Sequence, residues 1–287
     1  VDVREQMTNS TWTQVGAGVY RRRYDPLDVS VGLVMGPRGA TVIDTRNNPA
    51  EAQEIINDVA QQFAVPIVAV LNTHAHYDHT FGNQLFAHAG IPIYGHHLIA
   101  QHFEEFERPR LLRVQQNPAS EPDNSWAEVE LTLPSVPIAE TTTVELGGRE
   151  LKLIPLGPGH TETDLAIFIP DAGIWFLGDI IEESGPPMFG SGSFPLGWPE
   201  VLRSLLKLID PQHVLIPGHG QAVDRAFVSA QLAQFEELAQ TLRTAYAASI
   251  AVDEIQYAAQ LLALWPVEFL REAAVDGYAQ LSEHDAS

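Results

Sequence analysis

The chain alternates short apolar runs with stretches in which apolar residues recur at helical spacing. Val15–Tyr24, Val29–Met35 and Ala40–Asp44 read as strands, separated by Asp-Pro and Gly-Pro-Arg-Gly turns. Pro49–Phe63 has helical periodicity, with Ile55, Ile56, Val59 and Phe63 on one face. A strand at Val65–Asn72, a helix at Phe81–His88, a strand at Ile91–Gly95 and a helix at His97–Arg110 follow. Alternating elements continue to Gly220 and place the chain in the α/β (α+β) class. Asp224–Ser249 and Asp253–Tyr278 read as two helices rich in Ala, Leu and Gln. They fit a helical cap, a homodimer surface or plain core packing. The expected division is a main domain over residues 1–223 and a C-terminal helical extension over 224–287, packed on the same domain.

One polar run interrupts this pattern where chemistry is expected. His74-Ala75-His76-Tyr77-Asp78-His79 places three imidazoles and a carboxylate in six residues, directly after the Val65–Asn72 strand. Strand C-terminal ends are where α/β proteins commonly place their sites. Imidazole nitrogen and carboxylate oxygen are both good zinc ligands, and so many polar groups at a strand end each need a partner. The run reads as a metal site. A two-metal centre needs more donors, and three candidates stand at strand-like ends beside glycine: His160 in Gly157-Pro158-Gly159-His160, Asp179 in Leu177-Gly178-Asp179, and His219 in Gly218-His219-Gly220. Glycine beside a ligand lets the loop turn tightly around an ion. The other histidines (His88, His96, His97, His102, His213 and His284) match no motif position and read as surface or packing residues, with His96 and His97 the nearest to exceptions.

With these pieces in this order, and Asp44 ending Ala40-Thr41-Val42-Ile43, the stretch from about Val15 to Asp224 resembles the metallo-β-lactamase superfamily of metallohydrolases. The resemblance implies an αββα sandwich. It implies that His74, His76 and His160 hold a first metal, that Asp78, His79 and His219 hold a second, and that Asp179 bridges them. Asp78 and Asp179 would be the catalytic carboxylates, and Asp44 would orient the metal loop rather than bind an ion. The implied cofactors are two divalent ions, zinc first, with Mn, Fe or Co also compatible with N/O ligands. Water bound to such an ion falls from a pKa of about 15.7 toward about 7, so neither a serine nor a cysteine nucleophile is needed. No Gly-x-Ser-x-Gly elbow is found.

Asp179 steers the expectation within the superfamily. β-Lactam-cleaving members generally carry Cys or Ser there, whereas glyoxalase II and the lactonases carry a bridging Asp. The expected activity is therefore hydrolysis of an ester, thioester or lactone, as a lactonase-like or esterase enzyme. The basic C-terminal residues that glyoxalase II uses for glutathione are not found. The alternatives are a mononuclear iron persulfide dioxygenase using His74, His160 and Asp179, then a β-lactamase, then a non-catalytic scaffold.

Two stretches exceed what such a fold needs. Leu111–Pro137 is polar, acidic and Pro-containing, read either as a surface excursion or as an arm covering the site or a neighbouring subunit. Glu182–Pro199 is rich in Gly, Pro and aromatics; Met188, Phe189, Phe194, Leu196 and Trp198 are expected to form an apolar wall beside the metals. Tyr77, inside the metal loop, is read as a ring packed beneath the loop or as a substrate contact.

Composition narrows the partners. A formal charge of −21 disfavours nucleic acid, and the basic run Arg21-Arg22-Arg23 reads as the face of an edge strand. Apolar runs are too short to cross a membrane, so the expected partner is a small-molecule substrate. The absence of cysteine removes disulfides and thiol chemistry. A cytoplasmic location is the default expectation; the chain begins at Val1, so secretion after removal of an upstream segment stays open. Asn9-Ser10-Thr11 fits the glycosylation pattern, which recurs by chance and carries no weight.

Overall fold

The computed structural model describes residues 11–285. Most of Asn9-Ser10-Thr11 lies outside them, and so does the side chain of His284. A first sheet contains β1 (Thr13–Gly16), β2 (Val19–Tyr24), β3 (Val29–Gly36), β4 (Gly39–Ile43), β5 (Ile67–Leu71), β6 (Ile93–His96) and β7 (Val136–Ile138), hydrogen-bonded in that order. A second contains β8 (Thr142–Leu146), β9 (Arg149–Pro155), β10 (Leu165–Ile169), β11 (Ile174–Gly178) and β12 (Val214–Pro217), in the reverse order β12 to β8. The run expected as one strand over Val15–Tyr24 is a hairpin: Gly18, at φ +64°, turns the chain between β1 and β2.

The sheets bury a shared core between them, with Val19, Val34, Ile43 and Leu71 facing Leu151, Leu153, Ile167, Phe176 and Ile216. The outer face of the first sheet, including Val31, Leu33 and Val42, packs on Ile55 and Val59 of the helix Pro49–Gln62 and on Phe86. That helix starts where its sequence dictates: Asn48 accepts from Glu51 N, its amide donates to the Glu51 carboxylate, and Pro49 occupies the first turn. The outer face of the second sheet meets the helices Trp198–Leu206, Arg225–Ala247 and Val267–Asp285 in a core of Trp175, Leu215, Trp198, Phe235, Leu238 and Leu270. The layers are therefore α, β, β and α.

Several elements differ from the sequence reading. The expected helix Asp253–Tyr278 is a 3₁₀ turn at Val252–Glu254, a helix at Ala259–Leu264 and a separate helix from Val267. Pro266 lacks the donor and the free φ that continuation requires. Phe81–His88 breaks at Gly82, leaving Tyr77–Thr80 and Asn83–His88. A Cβ on Gly82 would lie 2.1 Å from the Thr45 carbonyl oxygen, so glycine permits the close approach. Helix also extends past Arg110, running from Arg108 to Gln116, and the 111–137 stretch is an arm packed on the metal loop. Leu111, Val114, Trp126 and Val129 bury Phe81, and Trp126 donates to Asn47 Oδ1 at 2.6 Å. Strand β2 lies inside its sheet rather than at the edge, and its arginines are internal ties: Arg21 to the Gly220 carbonyl, Arg22 to Asp58 and Arg23 to Asp28. No described helix is long and apolar enough to cross a membrane.

Candidate metal centre

All the motif residues lie at one edge of the sandwich because each follows the C-terminal end of a strand or the β9–β10 turn. Asp44 follows β4, His74–His79 follow β5, Asp179 follows β11 and His219 follows β12. Hydrogen bonds fix the loops. Thr73 N and Oγ1 donate to Asp44, each at 2.8 Å. Ala75 N donates to Thr163 Oγ1 at 3.0 Å, and Thr80 Oγ1 donates to the carbonyls of Ala75 and His76. Asn72 and Asn83 exchange amide hydrogen bonds beneath the loop. Around His160, Asp164 accepts from Thr161 N and Oγ1.

The ligand atoms converge as two groups, each within 4.8 Å: His74, His76, His160 and Asp179, and then Asp78, His79 and His219. Asp179 reaches both. Its Oδ2 lies 3.7 Å from His74 Nε2, 3.6 Å from His160 Nε2 and 3.4 Å from His219 Nε2, while Oδ1 lies 3.3 Å from His79 Nε2. Gly218 makes room, since a Cβ there would fall 1.7 Å from Asp179 Oδ1.

The outward nitrogens set the tautomers, so that the inward ones present lone pairs. His79 Nδ1 donates to Asp44 Oδ2 at 2.8 Å, and His219 Nδ1 donates to the Leu27 carbonyl at 2.7 Å. His74 Nδ1 meets Thr73 Oγ1 at 3.1 Å, whose own proton goes to Asp44. His76 Nε2 faces the Ser191 carbonyl at 3.3 Å. Inward, His79 Nε2 and His219 Nε2 stand 3.3 Å apart, and His76 Nδ1 and His160 Nε2 stand 2.8 Å apart. His74 Nε2 and Asp179 Oδ1 are buried without a hydrogen-bond partner. Crowded inward nitrogens and orphaned buried acceptors are costly unless a cation joins them. The donor set, nitrogen and carboxylate oxygen, suits zinc and its neighbours. The residues fit divalent ions.

Electrostatics point the same way. Burial pushes His160 down to about 3 and His74 well below its ordinary value. Burial also opposes charge on His79 and His219, yet Asp179 and Asp78 prevail and raise both well above the usual histidine range. Burial would raise Asp78, but His79 and His219 hold it down to about 2, and the same histidines with His74 hold Asp179 well below the carboxylate range. Asp78 and Asp179 thus draw positive charge to this spot. A divalent ion supplies that charge and releases the protons of its ligands.

A cavity of about 320 Å³ opens onto this centre. His76, Asp78, His160, Asp179 and His219 line it, and Leu27, Pro186, Met188 and Phe189 add an apolar wall. Met188 and Phe189 were expected there. Phe194 and Trp198 were expected too, and neither lines the cavity. Trp198 is fully buried behind His160, stacked on Phe235 at 4.3 Å and donating to the Ile180 carbonyl. Phe194 serves through its backbone, bonding Gly159 and capping the turn into Trp198. The Tyr77 ring packs on Phe81 and Trp126 under Arg110, and it also borders the cavity.

Sequence reading missed Arg110, Glu182, His102 and Glu107. Arg110 borders the cavity while paired with Glu121. Glu182 borders it too, its carboxyl pushed well above the ordinary range by burial and by Asp179; its place three residues after Asp179 was the available signal. His102 lies with its ring 5.5 Å from His76, whereas His96 and His97 stack on each other.

Comparisons with known proteins agree with this architecture. The profile of the Metallo-beta-lactamase superfamily matches residues 24–219. A metallo-beta-lactamase type 2 of Bacillus cereus is 22% identical over 226 residues, 78% of each chain. A hydroxyacylglutathione hydrolase of Synechococcus sp. is 28% identical over 160 residues, 55% of this chain and 51% of that protein. Among solved structures, a metallo-beta-lactamase from Pontibacter korlensis superposes with a TM-score of 0.61 at 20% identity, covering 78% of this chain and all but 2% of the other. The sec-alkylsulfatase Pisa1 from Pseudomonas sp. gives 0.74 at 18% identity over 94% of this chain and 50% of that one. The chain belongs to the metallo-beta-lactamase superfamily, whose members are mostly metal-dependent hydrolases.

Proposed function

We propose that this protein is a dinuclear metal-dependent hydrolase that cleaves a carboxylic ester, thioester or lactone. The observation that carries the reading is the position of Asp179, one carboxylate within 3.7 Å of imidazoles from both ligand groups. His74, His76 and His160 would hold one ion, Asp78, His79 and His219 the other, and Asp179 would serve both. When bound, two divalent ions, zinc first among them, supply Lewis acidity and an activated water at neutral pH.

The chain's own groups do the rest. Asp78, held low by His79 and His219, faces the cavity with Oδ2 3.2 Å from His219 Nε2, and the oxygen it does not give to the second ion would accept a proton. Glu182, whose ionisation is opposed by burial and by Asp179, stands at the cavity wall as the candidate proton donor within the same space. Met188, Phe189, Leu27 and Pro186 exclude water from one side and suit an apolar acyl or alkyl group. A carboxylate rather than Cys or Ser at position 179, together with similarity to the Synechococcus hydrolase, supports ester-type bonds over β-lactams.

The test is a panel of aryl esters, acyl thioesters, acyl-homoserine lactones and β-lactams, offered to metal-loaded protein beside a His76→Ala control. Turnover of the first three classes well above the control is expected. Equal rates for the two proteins across the panel would overturn the proposal.

A further inference from the structure

A second cluster of ligand-type side chains lies beside the seven residues above: His76, His102 and Glu107 bring ligand atoms within 4.8 Å of one another. His102 is fully buried and Glu107 is 1% exposed. Both ring nitrogens of His102 and Oε2 of Glu107 are buried without any hydrogen-bond partner. A buried carboxylate and imidazole left in that condition are unfavourable unless something joins them.

Local backbone geometry creates this convergence. On a regular α-helix, residues five apart point about 140° away from each other, at about 100° per residue. Here helix Ile99–His102 opens into a π turn over Phe103–Glu107, in which Arg108 N bonds the Phe103 carbonyl five residues back. The wider turn carries Glu107 round to the side of His102. Such turns are rare and occur frequently at functional sites. The Glu182–Pro199 loop passes close over the cluster: at Gly192, whose φ is +83°, a Cβ would lie 2.9 Å from Phe106 Cε2 and 3.1 Å from His102 Cε1, so glycine favours the close approach.

We propose that His102 and Glu107, with His76 as a shared third ligand, form an accessory site for a divalent transition-metal ion next to the dinuclear centre. Two imidazoles and one carboxylate are a donor set taken by Zn, Fe, Co and Mn. His76 Nδ1 faces the first ligand group, so the accessory ion would take Nε2, which must release its proton to solvent and give up the Ser191 carbonyl; that ion therefore binds after the main centre and more weakly.

The test uses the full chain, stripped of metal by chelation and titrated with Co²⁺ alone. Bound ions per chain are measured by elemental analysis after equilibrium dialysis, and the ligand field is followed by visible absorption. Wild type is expected to take one more equivalent than Glu107→Gln or His102→Phe, with the tighter equivalents and their spectrum the same in all three. Glu107→Gln keeps side-chain volume while His102→Phe enlarges the ring, and circular dichroism reports whether each is folded; Glu107→Gln keeps the test alive should His102→Phe unfold. Equal stoichiometry in wild type and Glu107→Gln overturns the proposal, as does loss of the tight equivalents in that variant, which would make the pair a support for His76. Ester turnover by loaded wild type is read separately, so failure of the hydrolase reading and failure of the accessory site give different results.

Discussion

Asp44 Oδ2 accepts a hydrogen bond from His79 Nδ1 at 2.8 Å while the same carboxylate receives Thr73 N and Oγ1. One buried side chain therefore fixes the tautomer of an inward-facing histidine and the entry into the metal loop. Asp44 also has φ +65°, a conformation that Asp and Asn tolerate better than other non-glycine residues. Asp44→Asn should keep the backbone and lose the paired acceptor. The expected result is metal affinity weaker by about 10–100-fold, measured by chelator competition. Asp44→Ala should show the same loss together with lower thermal stability, by about 1–3 kcal/mol of backbone strain.

Gly218 tests the placement of Asp179. Its substitution by alanine puts a methyl group 1.7 Å from Asp179 Oδ1, so the carboxylate must swing out of reach of one ligand group or both. Gly218→Ala should hold fewer ions than wild type, retain its circular dichroism, and lose about 100-fold or more in turnover, in line with an angstrom-scale misplacement of a reacting group.

Trp198 and Met188 separate core from cavity. Trp198 has no exposed surface and stacks on Phe235, so Trp198→Ala should cost about 3–5 kcal/mol of stability in denaturant unfolding. Met188 is 51% exposed and lines the cavity. Met188→Ala should change stability by about 0.5 kcal/mol or less and raise KM for substrates with long apolar groups.

A pH dependence follows from Asp164. Burial raises it from 3.8 to about 8, against the hydrogen bonds it accepts from Thr161. The folded state thus holds a proton that the unfolded chain releases near pH 4. The stability this brings is complete below that pH and is lost as pH rises through about 8. In metal-free protein, the stability difference between wild type and Asp164→Asn should shift against wild type between pH 4 and pH 8, by at most about 1.4 kcal/mol per unit. A difference that stays level across that range would contradict it.

What the sequence made readable was the part that is local. His74 to His79 declare themselves by density, and His160, Asp179 and His219 by glycine neighbours at strand ends. Side-chain direction was not readable. Phe194 and Trp198 follow a ligand closely in sequence, yet the turn through Gly197 sends the indole into the core behind His160 rather than into the cavity. α-Helical spacing points His102 and Glu107 apart, and only the π turn reverses that. Arg110 reaches the cavity through the packing of the 108–129 arm on Tyr77, a long-range contact with no local signature.

The central claim is that seven side chains hold two ions joined through Asp179. Anomalous diffraction at the zinc edge, from crystals of zinc-reconstituted Glu107→Gln protein, tests it most directly. Two peaks are expected, one within bonding distance of His74, His76 and His160, the other of Asp78, His79 and His219, with Asp179 touching both. A single peak held by His74, His160 and Asp179, with Asp78, His79 and His219 free of metal, would contradict the account.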